Sequence, residues 1–180
     1  MSRIVHTLTA ALCLGLTSCL ATSPESAAEQ ALGGEILGLR HGPLHRPGQP
    51  CLVCHGEQST GFRNTFELAG TVFDLPNDKL GVGGVEVVLT DGNGNDFVVK
   101  TNRTGNFFVS LDSSVSSPRS GRNGELVIPK SFAFPLHVEI RNGSTVQKMQ
   151  GLVWRNSSCA DCHRGPANDL SNGPIYLEAP

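Results

Sequence analysis

The sequence predicts a mainly β protein built on an antiparallel β-sandwich of about seven strands. Its 180 residues include 21 glycines and 11 prolines, and this content favours turn-rich β structure over a helical bundle. From Phe66 onward, short apolar segments alternate with dense turn signals, which is typical of a sandwich. The formal net charge is only −2, and because no block of lysine or arginine occurs, nucleic acid is excluded as an expected partner.

Seven segments between residues 66 and 153 are expected to form the strands of this domain. Each is apolar or alternating over a few residues and ends at a cluster of turn-forming residues. The turn at 91–96 has some features of a calcium loop, but the EF-hand pattern requires Glu at its twelfth position, where Asn102 stands. We therefore expect a hairpin turn there. The predicted strands are 66–73, 84–90, 96–101, 106–111, 126–128, 135–141 and 144–149.

The last two segments are predicted to form a hairpin about Asn142-Gly143, a strong two-residue turn signal. On the register that this turn sets, Met149 lies on the inner face of the hairpin and His137 on the outer face. The expected pairs are Ile140 with Thr145, Val138 with Gln147, and Leu136 with Met149.

The amino-terminal residues have the features of an export signal. A single positive charge at Arg3 precedes the apolar stretch 4–16, which is shorter than the ~20 residues needed to span a bilayer. The stretch ends in Leu16-Thr-Ser-Cys19 and resembles the lipobox of bacterial lipoproteins. That resemblance implies a signal peptide over 1–18 and lipidation of Cys19.

A tether is expected over residues 19–40, with a short helix beginning at Ser23-Pro24-Glu25. Leu20 follows the lipidated position, and by the sorting rule of bacterial lipoproteins it implies an anchor in the outer membrane. The expected localisation is therefore outside the cytoplasm, facing the periplasm or the cell surface. The membrane would be contacted through the lipid alone.

Four of the six cysteines fall in two identical motifs. C-x-x-C-H is the attachment signature of c-type haem. Two thiols at this spacing reach the two vinyl groups on one porphyrin edge, and the next residue then lies under the iron as proximal ligand. We expect two covalent haems in irregular segments that flank the sandwich, over 41–65 and 154–180. The residues are Cys51, Cys54 and the proximal ligand His55, and Cys159, Cys162 and the proximal ligand His163.

Three other interpretations of these cysteines were weighed. A four-cysteine zinc site gives no reason for a histidine directly after both pairs. A thioredoxin-like redox pair is disfavoured because no βαβ pattern surrounds either motif. Two disulfides within C-x-x-C pairs would be strained. Haem attachment uses every cysteine outside the signal and the lipidation site.

The sixth ligands of the two irons must come from a short set of side chains. His41 and His45 precede the first motif in a Pro- and Gly-rich stretch that can fold back over a haem bound downstream, and His45 is preferred. For the second haem Met149 is preferred to His137, and thioether ligation would raise the potential relative to two histidines. The alternatives are core packing for Met149 and solvated positions for the histidines.

Parts of the central domain resemble a known family. Gly70-Thr-Val, residues 84–94 and residues 101–109 are similar to the carboxypeptidase-regulatory-like domain, a transthyretin-type sandwich. These are turn and core positions, so the resemblance implies a fold and not a chemistry. With a haem motif at each end, the layout resembles bacterial dihaem c-type cytochromes that carry such a domain between their two sites.

This layout implies an electron carrier rather than an enzyme, with redox proteins as partners. A haem enzyme (a peroxidase or a small-ligand reductase) would need one iron with an open position. A structural or adhesion lipoprotein would serve a larger redox complex. Strands of about six residues span about 20 Å, so the haems lie together at one pole or about 20–30 Å apart. The second arrangement would require a multihaem complex or end-to-end self-association.

Overall fold

The computed structural model of the protein describes residues 24–39, 41–57, 64–155 and 157–177. The predicted signal peptide and Cys19 lie outside these residues. None of the three helices in the described part of the chain has the length and apolar character that crossing a bilayer requires.

The protein is mainly β, with two sheets and three short helices in the described residues. One sheet has five strands in the order β5-β6-β4-β1-β9, and the other has four in the order β3-β2-β7-β8. The strands are β1 (Phe66–Phe73), β2 (Glu86–Thr90), β3 (Asp96–Lys100), β4 (Asn106–Leu111), β5 (Arg119–Ser120), β6 (Glu125–Ile128), β7 (His137–Asn142), β8 (Thr145–Lys148) and β9 (Ile175–Tyr176). The helices are α1 (Pro24–Ala31), α2 (Leu52–His55) and α3 (Cys159–Cys162).

One hydrophobic core lies between the two sheets. The inward-facing residues of the longer strands are buried, because apolar side chains on that face leave water. Leu68, Val72 and Phe107 come from the five-stranded sheet, and Val87 and Leu89 from the other. The predicted mainly β fold with two packed sheets is thus confirmed.

The prediction of a wholly antiparallel sandwich was wrong at two pairings. β4 pairs with β6 in parallel, and β1 pairs with β9 in parallel. After β4 the chain returns through the long loop 112–124, so that β6 runs in the same direction as β4. The strands β5 and β9 have two residues each, too few for a periodic pattern to be recognised.

The register of the β7–β8 hairpin also differs from the prediction. The loop residues are Gly143 and Ser144, not Asn142 and Gly143, and Gly143 alone of these two has a positive φ, of 58°. A positive φ at only the first loop residue is the type II′ turn, which favours glycine there. The alternation of faces is unchanged because the shift of partners is two residues. The observed pairs are Ile140 with Gln147 and Asn142 with Thr145, and the Met149 N–H donates to the Val138 carbonyl.

The turn between β2 and β3 is a hairpin turn, as predicted. One carboxylate oxygen of the buried Asp91 accepts hydrogen bonds from the N–H groups of Asn93 and Asn95, at 3.0 and 2.9 Å. Burial opposes ionisation of Asp91, but hydrogen bonds from Asn95, Asn93 and the adjoining backbone prevail and lower the pKa of Asp91 below its ordinary value of 3.8. The ionised carboxylate therefore stabilises the folded turn.

Substitution Asp91→Asn should lower the free energy of unfolding at pH 7 by roughly 1–3 kcal/mol, because the N–H groups of Asn93 and Asn95 then meet a neutral acceptor instead of a charged one. The folded pKa of Asp91 is depressed, so its contribution is complete above 3.8 and is lost as the pH falls through the folded pKa. Urea unfolding of both proteins at pH 7 and pH 3 measures this difference. A gap between the two proteins that stays constant from pH 7 to pH 3 would contradict it.

Candidate functional site

Each C-x-x-C-H motif forms a single helical turn with the same internal hydrogen bond. The N–H of His55 donates to the carbonyl of Cys51 at 2.9 Å, and the N–H of His163 donates to the carbonyl of Cys159 at 2.8 Å. One turn of helix places residues three and four apart on the same face. Both cysteines and the histidine of each motif are therefore presented from one side of α2 or α3.

Each motif lines a cavity that also contains a candidate distal ligand. The first cavity, of about 450 Å³, is bordered by the first motif together with His41 and His45. The second, of about 260 Å³, is bordered by the second motif together with Met149. His137 is exposed on β7 and does not line either cavity. The fold thus brings each motif together with the side chains preferred from the sequence.

Three histidines are oriented in the same way by backbone carbonyl groups. The Nδ1 atom of His55 lies 2.8 Å from the Asn64 carbonyl oxygen, and that of His163 lies 3.0 Å from the Gly173 carbonyl oxygen. The Nδ1 atom of His45 bonds to the Gly42 carbonyl. Because a carbonyl only accepts, each Nδ1 carries the proton and each Nε2 carries the lone pair. This arrangement is usual for histidines that bind a metal through Nε2.

His41 has a different environment. Its side chain is 93 % exposed, and its Nδ1 lies 3.2 Å from a carboxylate oxygen of Glu35. A ring in that position is oriented by a charged group at the protein surface rather than by the backbone. His45 is therefore the better candidate of the two.

The rings of His45 and His55 have a spacing that fits a shared metal. Their centroids are 5.9 Å apart, with an angle of 59° between the planes. Two imidazoles that bind one metal through bonds of about 2 Å have centroids roughly 6 Å apart. His55 also stacks on Phe66, with centroids 4.5 Å apart. Burial is the main cause that lowers the pKa of His55, which favours the neutral imidazole that a metal requires.

The four thiols of the two motifs form no disulfide, and three of them have a raised pKa. Burial is the main cause that raises the pKa of Cys51 to about 11 and that of Cys159 to about 12. Burial likewise raises the pKa of Cys54. Redox-active C-x-x-C pairs have a lowered thiol pKa, so this environment argues against the thioredoxin-like interpretation.

The two motifs are neighbours on strand β1. Both α2 and α3 contact this strand, and the buried Phe107 of β4 lines both cavities. The proximity of Cys51 contributes to the raised pKa of Cys159. Of the two arrangements considered from the sequence, the structure places the motifs together and not at opposite poles.

Gly70 of β1 allows this close packing. A Cβ atom at this position would lie 2.8 Å from the Cβ of Cys159 and 2.7 Å from the Cζ of Phe107. Both distances are shorter than a van der Waals contact, so any larger residue would displace α3 or the ring. The absence of a side chain at Gly70 thus sets the position of the second motif.

Several residues that border the cavities were not expected from the sequence. Glu29, Leu32 and Glu35, which the sequence places in the tether, line the first cavity. They are held there by Arg46, whose guanidinium group donates to the Gly33 carbonyl at 3.0 Å and lies 3.4–3.5 Å from both glutamates. The predicted helix in this region is confirmed as α1, and it contacts α2. Ion pairs between distant segments leave no local pattern that could have shown this.

The segment after the second motif also contributes to its cavity. Asn172, Pro174, Ile175 and Tyr176 line the second cavity, and the hydrogen bond from His163 to the Gly173 carbonyl fixes the ring of the proximal candidate. The pairing of β9 with β1 holds this segment in place. The sequence predicts an irregular segment over 154–180 and does not predict the strand β9 within it.

No protein-family model, curated protein or solved structure matches the chain. The resemblance to carboxypeptidase-regulatory-like domains and to dihaem cytochromes therefore stays an interpretation of sequence motifs. Within the described ranges, no group of three or more His, Cys, Asp or Glu side chains is placed to hold a metal ion. An iron in a porphyrin takes only two axial ligands from the protein, so the relevant groupings are the histidine pair and the His163–Met149 cavity.

Substitution Gly70→Ala should lower the free energy of unfolding by about 1–3 kcal/mol, because the added methyl group overlaps Cys159 and Phe107. Gly34→Ala is the matched control, since a Cβ there meets no atom within 4 Å. Urea unfolding of the two variants measures the effect. Equal stability of both variants would show that the close approach at Gly70 is not required.

Proposed function

We propose that this protein is a dihaem c-type cytochrome that transfers electrons and is held at the outer membrane by a lipid on Cys19. One observation carries the proposal. Each C-x-x-C-H motif lines a cavity opposite a second side chain able to bind iron, His45 in the first and Met149 in the second. The matched spacing and tautomers of His45 and His55 support the same conclusion.

The residues of the chain have separate roles in this proposal. The cysteines of each motif hold a porphyrin by two thioether bonds, and the histidine that follows is the proximal ligand, oriented by a backbone carbonyl. A bound haem supplies a one-electron iron couple. The apolar side chains that line each cavity exclude water from that group.

The two sites differ in charge and in their proposed distal ligand. Three carboxylates and two guanidinium groups line the first cavity, from Glu29, Glu35, Glu125, Arg46 and Arg122. Among its described lining residues the second cavity has no carboxylate or guanidinium group and one ammonium group, that of Lys148, which lies 3.2 Å from a carboxylate oxygen of Glu139. Negative charge stabilises the oxidised state and positive charge the reduced state. Together with thioether ligation by Met149, this gives the second site the higher potential.

The packing of both motifs on β1 supports transfer within one molecule. Because Phe107 borders both cavities, the path between the sites does not need a second copy of the chain. Electrons would then enter at the low-potential first site and leave from the second site to a redox partner protein.

One observation favours an enzymatic alternative at the second site. Met149 is 37 % exposed. Apart from the proximal candidate His163, it is the only histidine or methionine among the described lining residues of that cavity. If Met149 stays unbound, the second haem has an open position, as in a peroxidase or a small-ligand reductase. Carbon monoxide binding to the reduced protein separates the two functions, since a six-coordinate haem resists it.

Protein purified from a host that attaches c-type haem should contain two covalent haems per chain. Replacement of Cys51 and Cys54 by alanine should leave one, and replacement of all four motif cysteines should leave none. Haem stain on a denaturing gel and the mass of the intact chain measure this. A wild-type chain without covalent haem would overturn the proposed function.

Substitution Met149→Ala should abolish the far-red charge-transfer band of methionine-ligated ferric haem, because the thioether is removed. His137→Ala is the control and should leave the band unchanged. Near-infrared spectra of the oxidised proteins measure the band. A band that persists in Met149→Ala would remove Met149 from the ligand set, and a band that is absent from the wild type would favour the open-position alternative.

A further inference from the structure

The loop that carries His45 is attached to the sandwich through three successive carbonyl groups. Each carbonyl oxygen lies within hydrogen-bond distance of a side chain in the turn between β3 and β4. Asn102 Nδ2 donates to Pro43 O at 2.7 Å, Thr104 Oγ1 lies 3.1 Å from Leu44 O, and Asn106 Nδ2 donates to His45 O at 2.9 Å. We call Asn102, Thr104 and Asn106 the clamp residues.

The clamp residues are buried, and the acceptor and donor atoms of their side chains bond to different parts of the molecule. They are 7 %, 2 % and 5 % exposed, respectively. Asn102 Oδ1 accepts the N–H groups of Thr104 and Asn106, which closes the turn, and Gly105 adopts the φ of 79° that this turn needs. The turn therefore uses the acceptor oxygen of Asn102, while the amide nitrogens of Asn102 and Asn106 donate to the loop. Asn102 Nδ2 also donates to Asn123 O at 2.9 Å.

A second contact braces the other end of the same loop. Thr71 Oγ1 of β1 donates to Asn106 Oδ1 at 2.8 Å and accepts the N–H of Gly48, also at 2.8 Å. Between these attachments, Arg46 is held at a φ of 49°, a conformation that non-glycine residues keep only when their surroundings enforce it. The loop on both sides of His45 is thus fixed by the sandwich.

We propose that the clamp residues are positioning residues that hold His45 as the distal ligand of the first haem. This inference rests on the proposed function. Asn106 fixes the backbone of His45 through its carbonyl, and Gly42 fixes the ring through Nδ1. With both ends of the residue set, the imidazole ring stays in the cavity, with its centroid 5.9 Å from that of His55. The clamp residues lie within 101–109, one of the segments that resemble carboxypeptidase-regulatory-like domains, and this turn would also position the distal ligand.

The test compares substitutions of two buried threonines in the same turn region. Thr104→Val removes a hydroxyl that lies 3.1 Å from Leu44 O of the loop and 2.9 Å from Asn102 Oδ1 of the turn. Thr101→Val is the matched control, because the Thr101 hydroxyl donates to Val82 O at 2.7 Å and accepts the N–H of Val85 at 3.0 Å, both within the sandwich. Asn106→Leu removes the hydrogen bond to the His45 carbonyl. His45→Ala shows the effect of losing the proposed ligand itself.

The measurements are carbon monoxide binding to the reduced holoprotein, the haem spectra and the covalent haem count. Asn106→Leu and His45→Ala should each bind one more carbon monoxide per molecule than the wild type. Thr104→Val should bind it about two- to tenfold faster. Carbon monoxide enters only when His45 leaves the iron, and loss of one neutral hydrogen bond raises the population of that open state by about this factor. Thr101→Val should bind it as the wild type does, even if urea unfolding shows a comparable loss of stability.

The clamp would be overturned if both Thr104→Val and Asn106→Leu bind carbon monoxide as the wild type does and have wild-type spectra, while His45→Ala binds one more carbon monoxide per molecule. The proposed function would stay intact in that case. An equal response of Thr101→Val and Thr104→Val would also overturn it, because general destabilisation would then be the cause. If Asn106→Leu does not fold, the two threonine variants decide. A wild-type chain without covalent haem overturns the proposed function and, with it, the clamp.

Discussion

Packing on strand β1 is the constraint on which both candidate sites depend. The strand pairs with β4 on one side and with β9 on the other, and it also contacts α2 and α3. At Gly70 of this strand the missing Cβ leaves room for Cys159 and the ring of Phe107. One strand of the hydrophobic core therefore sets the relative position of the two C-x-x-C-H motifs, which no local property of either motif could do.

The sequence was informative where structure is local and repeated. The boundaries of β1 and β4, the turn at Asp91 and the short helix at Pro24 follow from alternation and from turn or capping residues, and all were predicted. The parallel pairings of β6 and β9 were missed, since strand direction depends on how distant segments return. The spacing of the motifs predicts haem attachment from the sequence alone, but the positions of Glu29 and Asn106 beside the first motif depend on long-range contacts that have no signature in sequence.

The sandwich does more than separate the two motifs. Buried polar groups are costly unless they are hydrogen-bonded, and here Asn102, Thr104 and Asn106 are satisfied partly by the carbonyl groups of the loop that precedes the first motif. The loop in turn has few apolar side chains of its own and depends on those donors for its shape. The sandwich and the loop that carries His45 are thus held against each other by polar contacts, in addition to the stacking of His55 on Phe66.

The second motif lies in a segment that begins and ends on the same strand. The N–H of Ala69 donates to Ser157 O at 3.1 Å, and the N–H of Leu177 donates to Phe73 O, also at 3.1 Å. Residues 157–177 therefore form an excursion whose two ends bond to β1. Because the entropy of closing a loop rises only slowly with its length, insertions in the exposed residues 164–170 would disturb the sheet little. The architecture allows the second site to be remodelled in evolution, or exchanged by grafting, while the strand that supports it stays the same.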